Sequence, residues 1–380
     1  MSTNSVPTLL HVYPTFDLGG VQRRFLQLVN HFGAEYRHLI VSMDGRAEAF
    51  PLVGAQVDAR MIEVPRRAND TLASVKTFRS VLNDLKPDLL VTSNWGTIEW
   101  AMANLDGRFR HLHMEDGFGS EEAARQLPRR VWTRRLVLRR STVMLPSMTL
   151  YRLAREVWRL PQKRLVQVPN GIDCQRFTAR PDTAFATSLG IAADRPVIGT
   201  VAALRSEKNL VRLIDAFGLV VRHRPAQLVI VGDGAQRAPL EQHAAGLGLS
   251  GQVLFTGGCS TPERLLPSFT LFALSSDTEQ MPISVLEAMA AGRPVVSTDV
   301  GDVSQMVAQE NRPYMTALDP GALAAAMTSL LDDSGLAGAI GAANALRAQK
   351  IYDQEKMFDA YRRLYDGRLP VGSAGNLGAA

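Results

Sequence analysis

The sequence predicts an α/β protein of two domains, each built on a parallel sheet that is covered by helices. The first indication is the length, because 380 residues are more than one hydrophobic core usually serves. The second is that short apolar runs alternate with helix-like segments and short loops in both halves, which is typical of parallel sheets. Between the halves, residues 180–195 show no strong periodicity and are the predicted linker.

Composition restricts the class of protein. A hydrophobic content of 46% and a mean hydropathy of -0.03 are typical of a globular protein, and apolar runs are too short for a spanning helix. The formal charge of +5 permits anionic ligands but does not favour nucleic acid. The N-terminus lacks a signal-like pattern, and Cys174 and Cys259 lie far apart, so we expect a cytoplasmic protein without a metal site.

Strand and helix patterns alternate along the first half. The predicted strands cover residues 9–13, 38–41, 60–64, 88–92, 111–113, 142–146 and 165–168, and the predicted helices cover 21–32 and 71–85. Gly19 and Gly20 lie between the first strand and the first helix, which is typical of a loop that a phosphate approaches closely. A plain tight turn is the alternative, since G-x-G-x-x-G is absent after this strand.

The second half repeats the alternation. Its predicted strands cover residues 197–201, 228–231, 253–255, 269–274 and 295–298, and its predicted helices cover 209–222, 283–291 and 351–365. Pro282 and Gly292 delimit the helix over 283–291, because proline is tolerated at a helix start and glycine ends helices.

Two carboxylates flank the start of that helix. Glu279 lies in the loop before it, and Glu287 lies in its second turn, eight residues later. Unpaired N–H groups at a helix start bind anions, whereas carboxylates repel them. We therefore expect phosphates on the amides and hydroxyl groups of a ribose and a sugar on the two glutamates. The alternative is a surface loop with two solvated glutamates.

The spacing of Glu279 and Glu287, within LEAMAAGRPVV followed by DVG, resembles the donor-site signature of the retaining GT-B glycosyltransferases of family 4. Many family members have Glu-Gly-Phe-Gly where this chain has Glu-Gln-Met-Pro at 279–282. The resemblance implies that Glu279 contacts the donor sugar and Glu287 the ribose. It also implies two Rossmann-like domains facing across a cleft, residues 1–175 and 190–350, with a C-terminal helix (351–368) that returns to the first domain.

Two basic residues follow the first strand of the second half. Arg205 and Lys208 stand three apart in a loop, where both can approach one diphosphate and stabilise the charge that develops as it leaves. A solvated loop is the alternative. Family members have the same R-x-x-K pair in this role, without a metal or cofactor. Further expected donor contacts are Gly19, Gly20, Gly232, Phe255, Met281, Ile283 and Ser284.

Another candidate turn follows the strand predicted over 111–113. Some relatives read His-Gly-Glu-His-Gly where this chain has His113-Met114-Glu115-Asp116-Gly117. The resemblance implies that Asp116 and His113 face the cleft and position donor and acceptor, with Glu115 close behind. The alternative is a structural turn whose acids cap a helix around residues 120–124.

Seven arginines and no acid occur between Arg125 and Arg140. Projected at helical period they surround the axis, so this is not a clean amphipathic membrane helix. An acceptor or anionic-membrane contact and a solvated basic face remain equal alternatives. The candidate contacts are Arg129, Arg130, Arg134 and Arg135.

The expected reaction transfers a sugar from a nucleoside diphosphate sugar to a hydroxyl of a glycan or glycolipid, with retention and without a metal. The protein would act in the cytoplasm or at the inner membrane face. A GT-B epimerase and a non-catalytic nucleotide-sugar-binding scaffold are the alternatives.

Overall fold

The computed structural model describes residues 6–65, 70–118, 122, 125–178 and 181–369. The chain forms two compact units. One contains the residues up to Pro169 together with those from Met357 onward, and the other is Asn170–Lys356. Each unit has its own sheet, as the alternating pattern predicts.

The first unit is built on a seven-stranded parallel sheet of order β3-β2-β1-β4-β5-β6-β7. Its strands are β1 (Thr8–Tyr13), β2 (Arg37–Ser42), β3 (Asp58–Met61), β4 (Leu89–Ser93), β5 (His111–Met114), β6 (Thr142–Leu145) and β7 (Leu165–Gln167). Its helices are α1 (Gly20–Phe32), α2 (Thr71–Leu85), α3 (Ile98–Ala103), α4 (Pro128–Val137) and α5 (Met148–Glu156). The central strands are buried on both faces, which explains why they read as nearly continuous apolar runs.

The second unit is built on a six-stranded parallel sheet of order β10-β9-β8-β11-β12-β13. Its strands are β8 (Val197–Val201), β9 (Gln227–Val231), β10 (Val253–Gly257), β11 (Leu271–Leu274), β12 (Val295–Thr298) and β13 (Met315–Thr316). Its helices are α6 (Thr183–Ser188), α7 (Leu210–Val220), α8 (Arg237–Gly246), α9 (Ile283–Ala290), α10 (Val303–Met306), α11 (Pro320–Asp332) and α12 (Ser334–Tyr352). Apolar clusters cover both faces of the sheet.

The last helix returns to the first unit, as the family resemblance implies. Extended backbone at Asp353 separates α12 from α13 (Gln354–Tyr365). The buried face of α13 enters an aromatic cluster with Phe25 and Phe32 of α1 and consists of Met357, Phe358, Tyr361, Leu364 and Tyr365. The helix predicted over 351–365 therefore corresponds to parts of two helices. Its first two residues form the end of α12, and residues 354–365 form α13.

The boundary between the units differs from the predicted linker. It falls at Pro169, whereas residues 180–195 contain α6, whose start is capped by the Asp182 carboxylate accepting from the Phe185 N–H at 3.0 Å. Ala186 and Ile191 pack in the core of the second unit. A six-residue helix with one core residue, Ala186, has too weak a periodicity to be recognised from sequence.

Three histidines in the first unit, His11, His38 and the half-buried His111, are held neutral. His11 and His38 share a hydrogen bond of 3.0 Å between Nε2 and Nδ1, and both are fully buried. Burial lowers the pKa of His38 to about 4 and the pKa of His11 well below its usual value. Burial, aided by the neighbouring His113, lowers the pKa of His111 to about 3.

We predict that the first unit loses stability on mild acidification. Below pH 6.5 these histidines bind protons in the unfolded chain but stay neutral in the folded protein. The free energy of unfolding therefore falls as the pH falls towards the folded pKa values. Each such histidine should cost roughly 2 kcal/mol between pH 7 and pH 5. Urea unfolding at both pH values measures the loss. His38→Gln should remove the contribution of one histidine to this loss of stability, whereas the control His223→Gln, at an exposed position, should leave the loss unchanged. A free energy of unfolding that does not depend on pH would contradict this account.

Candidate functional site

The site in the second unit lies where the strand order reverses. β8 and β11 are neighbours in the sheet, while β9 and β12 lie on their outer sides. The connections that leave β8 and β11 therefore run in opposite directions, and parallel sheets bind ligands in the crevice that this produces at the carboxyl ends of the strands. Arg205 and Lys208 follow β8, and Glu279 follows β11.

The predicted basic residue and the predicted carboxylate meet in this crevice. Lys208 Nζ donates to Glu279 Oε1 at 2.6 Å, and Ser276 Oγ donates to the same oxygen at 2.7 Å. The Lys208 side chain is 23% exposed and the Glu279 side chain 9% exposed, so the pair borders solvent. Arg205 is exposed, and within the described residues its side chain has no hydrogen bond or ion pair. A fixed carboxylate, a fixed ammonium and a guanidinium that is available for a ligand thus share one edge of the sheet.

A second layer of polar contacts holds the two loops together. Asn209 adopts the left-handed conformation at φ 41°, caps α7 and donates through Nδ2 to Asp277 Oδ1 at 3.0 Å. Arg212 donates to the Ser275 carbonyl and to Asp277 Oδ1, both at 2.7 Å. Sequence analysis did not identify these three residues as site residues. The only sequence signal was an Asn before a helix and an Asp after a strand, which many loops share.

The start of α9 faces the same edge. The residue at the N-cap of this helix is Pro282, which forms no side-chain cap, so the first N–H groups of the helix, from Ile283 and Ser284, are suited to an anion. Glu287 is 8% exposed in its second turn. Asn170 supports the loop before the helix, because its Nδ2 donates to the Met281 carbonyl at 3.0 Å. Met281 is nearly buried and serves as packing rather than as an open contact.

Glycines bring backbone close to backbone at this edge. Gly301 has φ 59°, and a Cβ there would stand 2.3 Å from the Glu279 carbonyl oxygen. Gly232 has φ 149°, and a Cβ there would stand 1.8 Å from the Ala202 carbonyl oxygen. Phe255 lies on β10, two strands from β8 on the side away from β11, so the structure does not place it beside Glu279.

The corresponding edge of the first unit carries a different arrangement. Gly19 caps α1 with extended backbone and Gly20 begins the helix, again without a side-chain cap. Asp116 follows β5 and forms two hydrogen bonds with Arg24 of α1, at 2.5 and 2.8 Å. The Asp116 N–H donates to Asn94 Oδ1 at 2.7 Å. The Arg24 side chain is 4% exposed, so Asp116 is one half of a nearly buried ion pair that sequence analysis did not anticipate.

His113 is not at the surface, contrary to the expectation that it faces a cleft. It is fully buried, with Nδ1 2.8 Å from Thr92 Oγ1 and Nε2 3.4 Å from Glu115 Oε2. Side chains alternate between the two faces of a strand, and both faces of this sheet are covered, so a histidine inside β5 has no route to solvent. Glu115 is also buried and accepts from Arg134 Nε at 3.3 Å.

The prediction that Arg134 contacts an acceptor or a membrane surface is wrong. Its side chain is 1% exposed, donates to both oxygens of Glu122 at 3.0 and 3.2 Å, and lies 4.8 Å from the ring centre of Trp158. Arg130 also pairs with Glu122, and Arg135 donates to the carbonyls of residues 157 and 158. The helix considered for residues 120–124 lies outside the described residues except for Glu122.

The exposed face of α4 is mixed basic and apolar. It carries Arg129, Trp132 and Leu136, and Arg139 lies two residues beyond the helix end. The large side chains of Trp132 and Leu136 are both 56% exposed. Of the four arginines predicted for an acceptor or membrane contact, only Arg129 belongs to this face. Within the described residues, no helix is long and apolar enough to cross a bilayer.

Two units of this kind, each with a parallel sheet covered by helices, are the architecture of the GT-B fold. The model for Glycosyl transferases group 1 matches residues 182–347, and that for Glycosyltransferase Family 4 matches residues 18–176. The chain belongs to the family 4 glycosyltransferases.

Individual relatives agree with this assignment. N-acetyl-alpha-D-glucosaminyl L-malate synthase of Bacillus anthracis is 27% identical over 54% of this chain and 54% of its own length. The lipopolysaccharide core biosynthesis mannosyltransferase LpsB of Rhizobium meliloti is 28% identical over 54% of this chain and 62% of its own length. The match thus spans only about half to two thirds of these relatives. The structure of Anabaena HepE in complex with UDP and glucose has a TM-score of 0.81 at 17% identity, covering 95% of this chain and 100% of HepE.

We predict that Gly301→Ala displaces the loop that carries Glu279. The added Cβ meets the Glu279 and Gln280 carbonyls and strains a left-handed backbone, at a cost of about 1–3 kcal/mol. The KM for the donor should rise at least tenfold, measured by initial rates alongside the melting temperature. Gly251→Ala is the matched control, because a Cβ there meets no atom within 4 Å. Equal donor KM values in the two variants would show that Gly301 does not hold the loop.

We predict that Asp116→Asn mainly destabilises the first unit. It leaves the Arg24 cation without its carboxylate, which costs about 3–5 kcal/mol when the remaining charge is buried. Chemical denaturation of Asp116→Asn, Arg24→Met and the double variant measures the coupling. The double variant should recover part of the loss, because no buried charge then remains. Additive losses would argue against this coupling and for a role of Asp116 apart from Arg24.

Proposed function

We propose that this glycosyltransferase transfers a sugar from a nucleoside diphosphate sugar to a hydroxyl group of a glycan or glycolipid, with retention and without a metal ion. The observation that carries the proposal is the 2.6 Å contact of Lys208 with Glu279 beside the uncapped start of α9. In this arrangement the Glu279 carboxylate is available to sugar hydroxyl groups, and the cations of Lys208 and Arg205, with the first amides of α9, are available to a diphosphate. The naming of LpsB for lipopolysaccharide core biosynthesis supports the acceptor class.

Lys208 has donors for both partners. An ammonium carries three N–H bonds, and Glu279 uses one of them. The others are available to phosphate oxygens, where Arg205 adds a planar fork that matches two oxygens at once. Negative charge on the diphosphate grows as the sugar bond breaks, so these cations stabilise the transition state more than the bound donor. This is the charge neutralisation that a metal supplies in other transferases.

The proposed proton transfer does not require a protein base. In a retaining transfer on one face of the sugar, the departing phosphate oxygen accepts the proton of the acceptor hydroxyl. Asp116 is committed to Arg24, and His113 is buried against Thr92 and Glu115, so neither is placed as a general base. The turn after β5 would then act by holding its backbone in position, and the first unit would select the acceptor.

The proposal is tested by following a radiolabelled nucleotide sugar. We predict that Glu287→Ala weakens binding of the bare nucleoside diphosphate by about 1–3 kcal/mol, the usual cost of losing a charged hydrogen bond. Glu279→Gln should keep that affinity, because Lys208 remains, but should lower transfer roughly a hundredfold. The exposed Glu310→Gln is the matched control in the same unit.

Three results would contradict parts of this scheme. Equal loss of nucleoside diphosphate affinity in the Glu279 and Glu287 variants would refute the division between sugar and ribose. Loss of turnover in EDTA would refute the metal-free scheme. Binding without turnover would indicate a scaffold, and an epimerised sugar without an acceptor product would indicate an epimerase.

A further inference from the structure

A large cavity of the first unit lies at the edge of the sheet opposite the turn with Asp116. It has a volume of about 650 Å³, within the range of small-molecule sites. Leu89, His111 and Thr142 line it, and these residues are the first of β4, β5 and β6. Because the strands are parallel, the cavity opens at their amino ends, whereas Asp116 follows the carboxyl end of β5.

The wall of this cavity is strongly basic. Five arginines and one carboxylate line it, and they are Arg108, Arg110, Arg140, Arg164, Arg368 and Asp106. The arginines come from four separate segments: the approach to β5, the end of α4, the turn before β7 and the stretch after α13. Convergence of five like charges from four segments is unfavourable in itself, and a cavity of one sign concentrates counter-ions.

Two of these arginines, Arg110 and Arg140, are held in place by backbone carbonyls, which do not neutralise their charge. Arg110 Nη2 donates to the carbonyls of Leu364 and Tyr365 at 3.2 and 2.9 Å, and Arg140 Nη1 donates to the Asp106 carbonyl at 3.2 Å. A guanidinium has five N–H bonds, so both retain donors for a ligand. In the described part of the chain, ion pairs with carboxylates are absent for Arg108, Arg110, Arg140 and Arg164, whereas Arg368 pairs with Asp366.

The floor offers neutral polar groups. Ser141 Oγ lies 2.7 Å from His111 Nδ1, and the other ring nitrogen of His111 lies 2.8 Å from Thr92 Oγ1. Ser141 is buried and Thr142 half-buried. A rim of guanidinium groups over a hydroxyl-bearing floor matches the oxygens of a phosphorylated compound better than it matches a neutral sugar.

We propose that this cavity is a second anion site, which binds a soluble small molecule carrying two or more phosphate groups. The cavity contains none of the residues expected to contact the donor, and the proposal does not depend on the proposed reaction.

Calorimetric titration with inorganic tripolyphosphate tests the proposal on the full chain. Arg205→Ala/Lys208→Ala serves as the background, so that the donor-site cations do not bind the probe. One tripolyphosphate should bind per chain. Arg164→Glu should weaken binding at least tenfold, and its fold should persist because the Arg164 side chain is exposed and forms no hydrogen bond or ion pair within the described residues. Arg60→Glu on β3, at the far edge of the same sheet, is the control of equal charge.

Three results would overturn the site. The first is no binding to the background protein. The second is an equal loss of tripolyphosphate affinity in Arg60→Glu and Arg164→Glu, because the loss would then follow from net charge alone. The third is a protein that does not bind tripolyphosphate but sediments with phosphatidylglycerol vesicles, and that loses this sedimentation on Arg164→Glu. The cavity would then bind the phosphates of a lipid surface rather than those of a soluble molecule.

Discussion

The candidate site depends on one constraint, the reversal of strand order between β8 and β11. Parallel strands need crossovers of one hand, so the two connections leave the shared edge in opposite directions and open a crevice there. This brings together Lys208 and Glu279, which are 71 residues apart in sequence. Asp277 then fixes the spacing of the two loops through Asn209 and Arg212, so the ion pair is held by both of its flanks.

The first unit has the same reversal, between β1 and β4, and internal polar contacts link the loops at its edge. Arg24 of the helix after β1 closes on Asp116, and Asn94 after β4 receives the Asp116 N–H. A continuous set of polar contacts also runs the length of β5, from Ser141 through His111, Thr92 and His113 to Glu115. All of these groups except the half-buried His111 are buried, and together they fix the turn after β5 in one conformation.

The sequence was sufficient for the elements whose pattern is local. Every strand longer than two residues was predicted within a few residues of its bounds, because buried parallel strands are continuous apolar runs with glycine or proline nearby. The roles of the R-x-x-K loop and of the two glutamates come from the family resemblance as well as from spacing, and they remain predictions. What failed depends on distant partners: the burial of Arg134 requires Glu115, Glu122 and Trp158, and no local pattern distinguishes this arginine from its six neighbours in the segment.

Exposure separates the ion pairs that can serve a ligand from those that cannot. A pair such as Arg134 with Glu115, with both side chains 1% exposed, costs several kcal/mol to open because each charge would be left without water or partner. The Lys208 side chain is 23% exposed and the Glu279 side chain 9%, so this pair borders solvent through the lysine, and water or a ligand can reach its ammonium. A diphosphate and a sugar hydroxyl can therefore share or replace the contacts of Lys208 and Glu279. Replacing the contacts of Arg134 in the same way would leave buried charges without partners. We therefore assign binding chemistry to the pair of Lys208 with Glu279, which borders solvent, and structural support to the buried pairs.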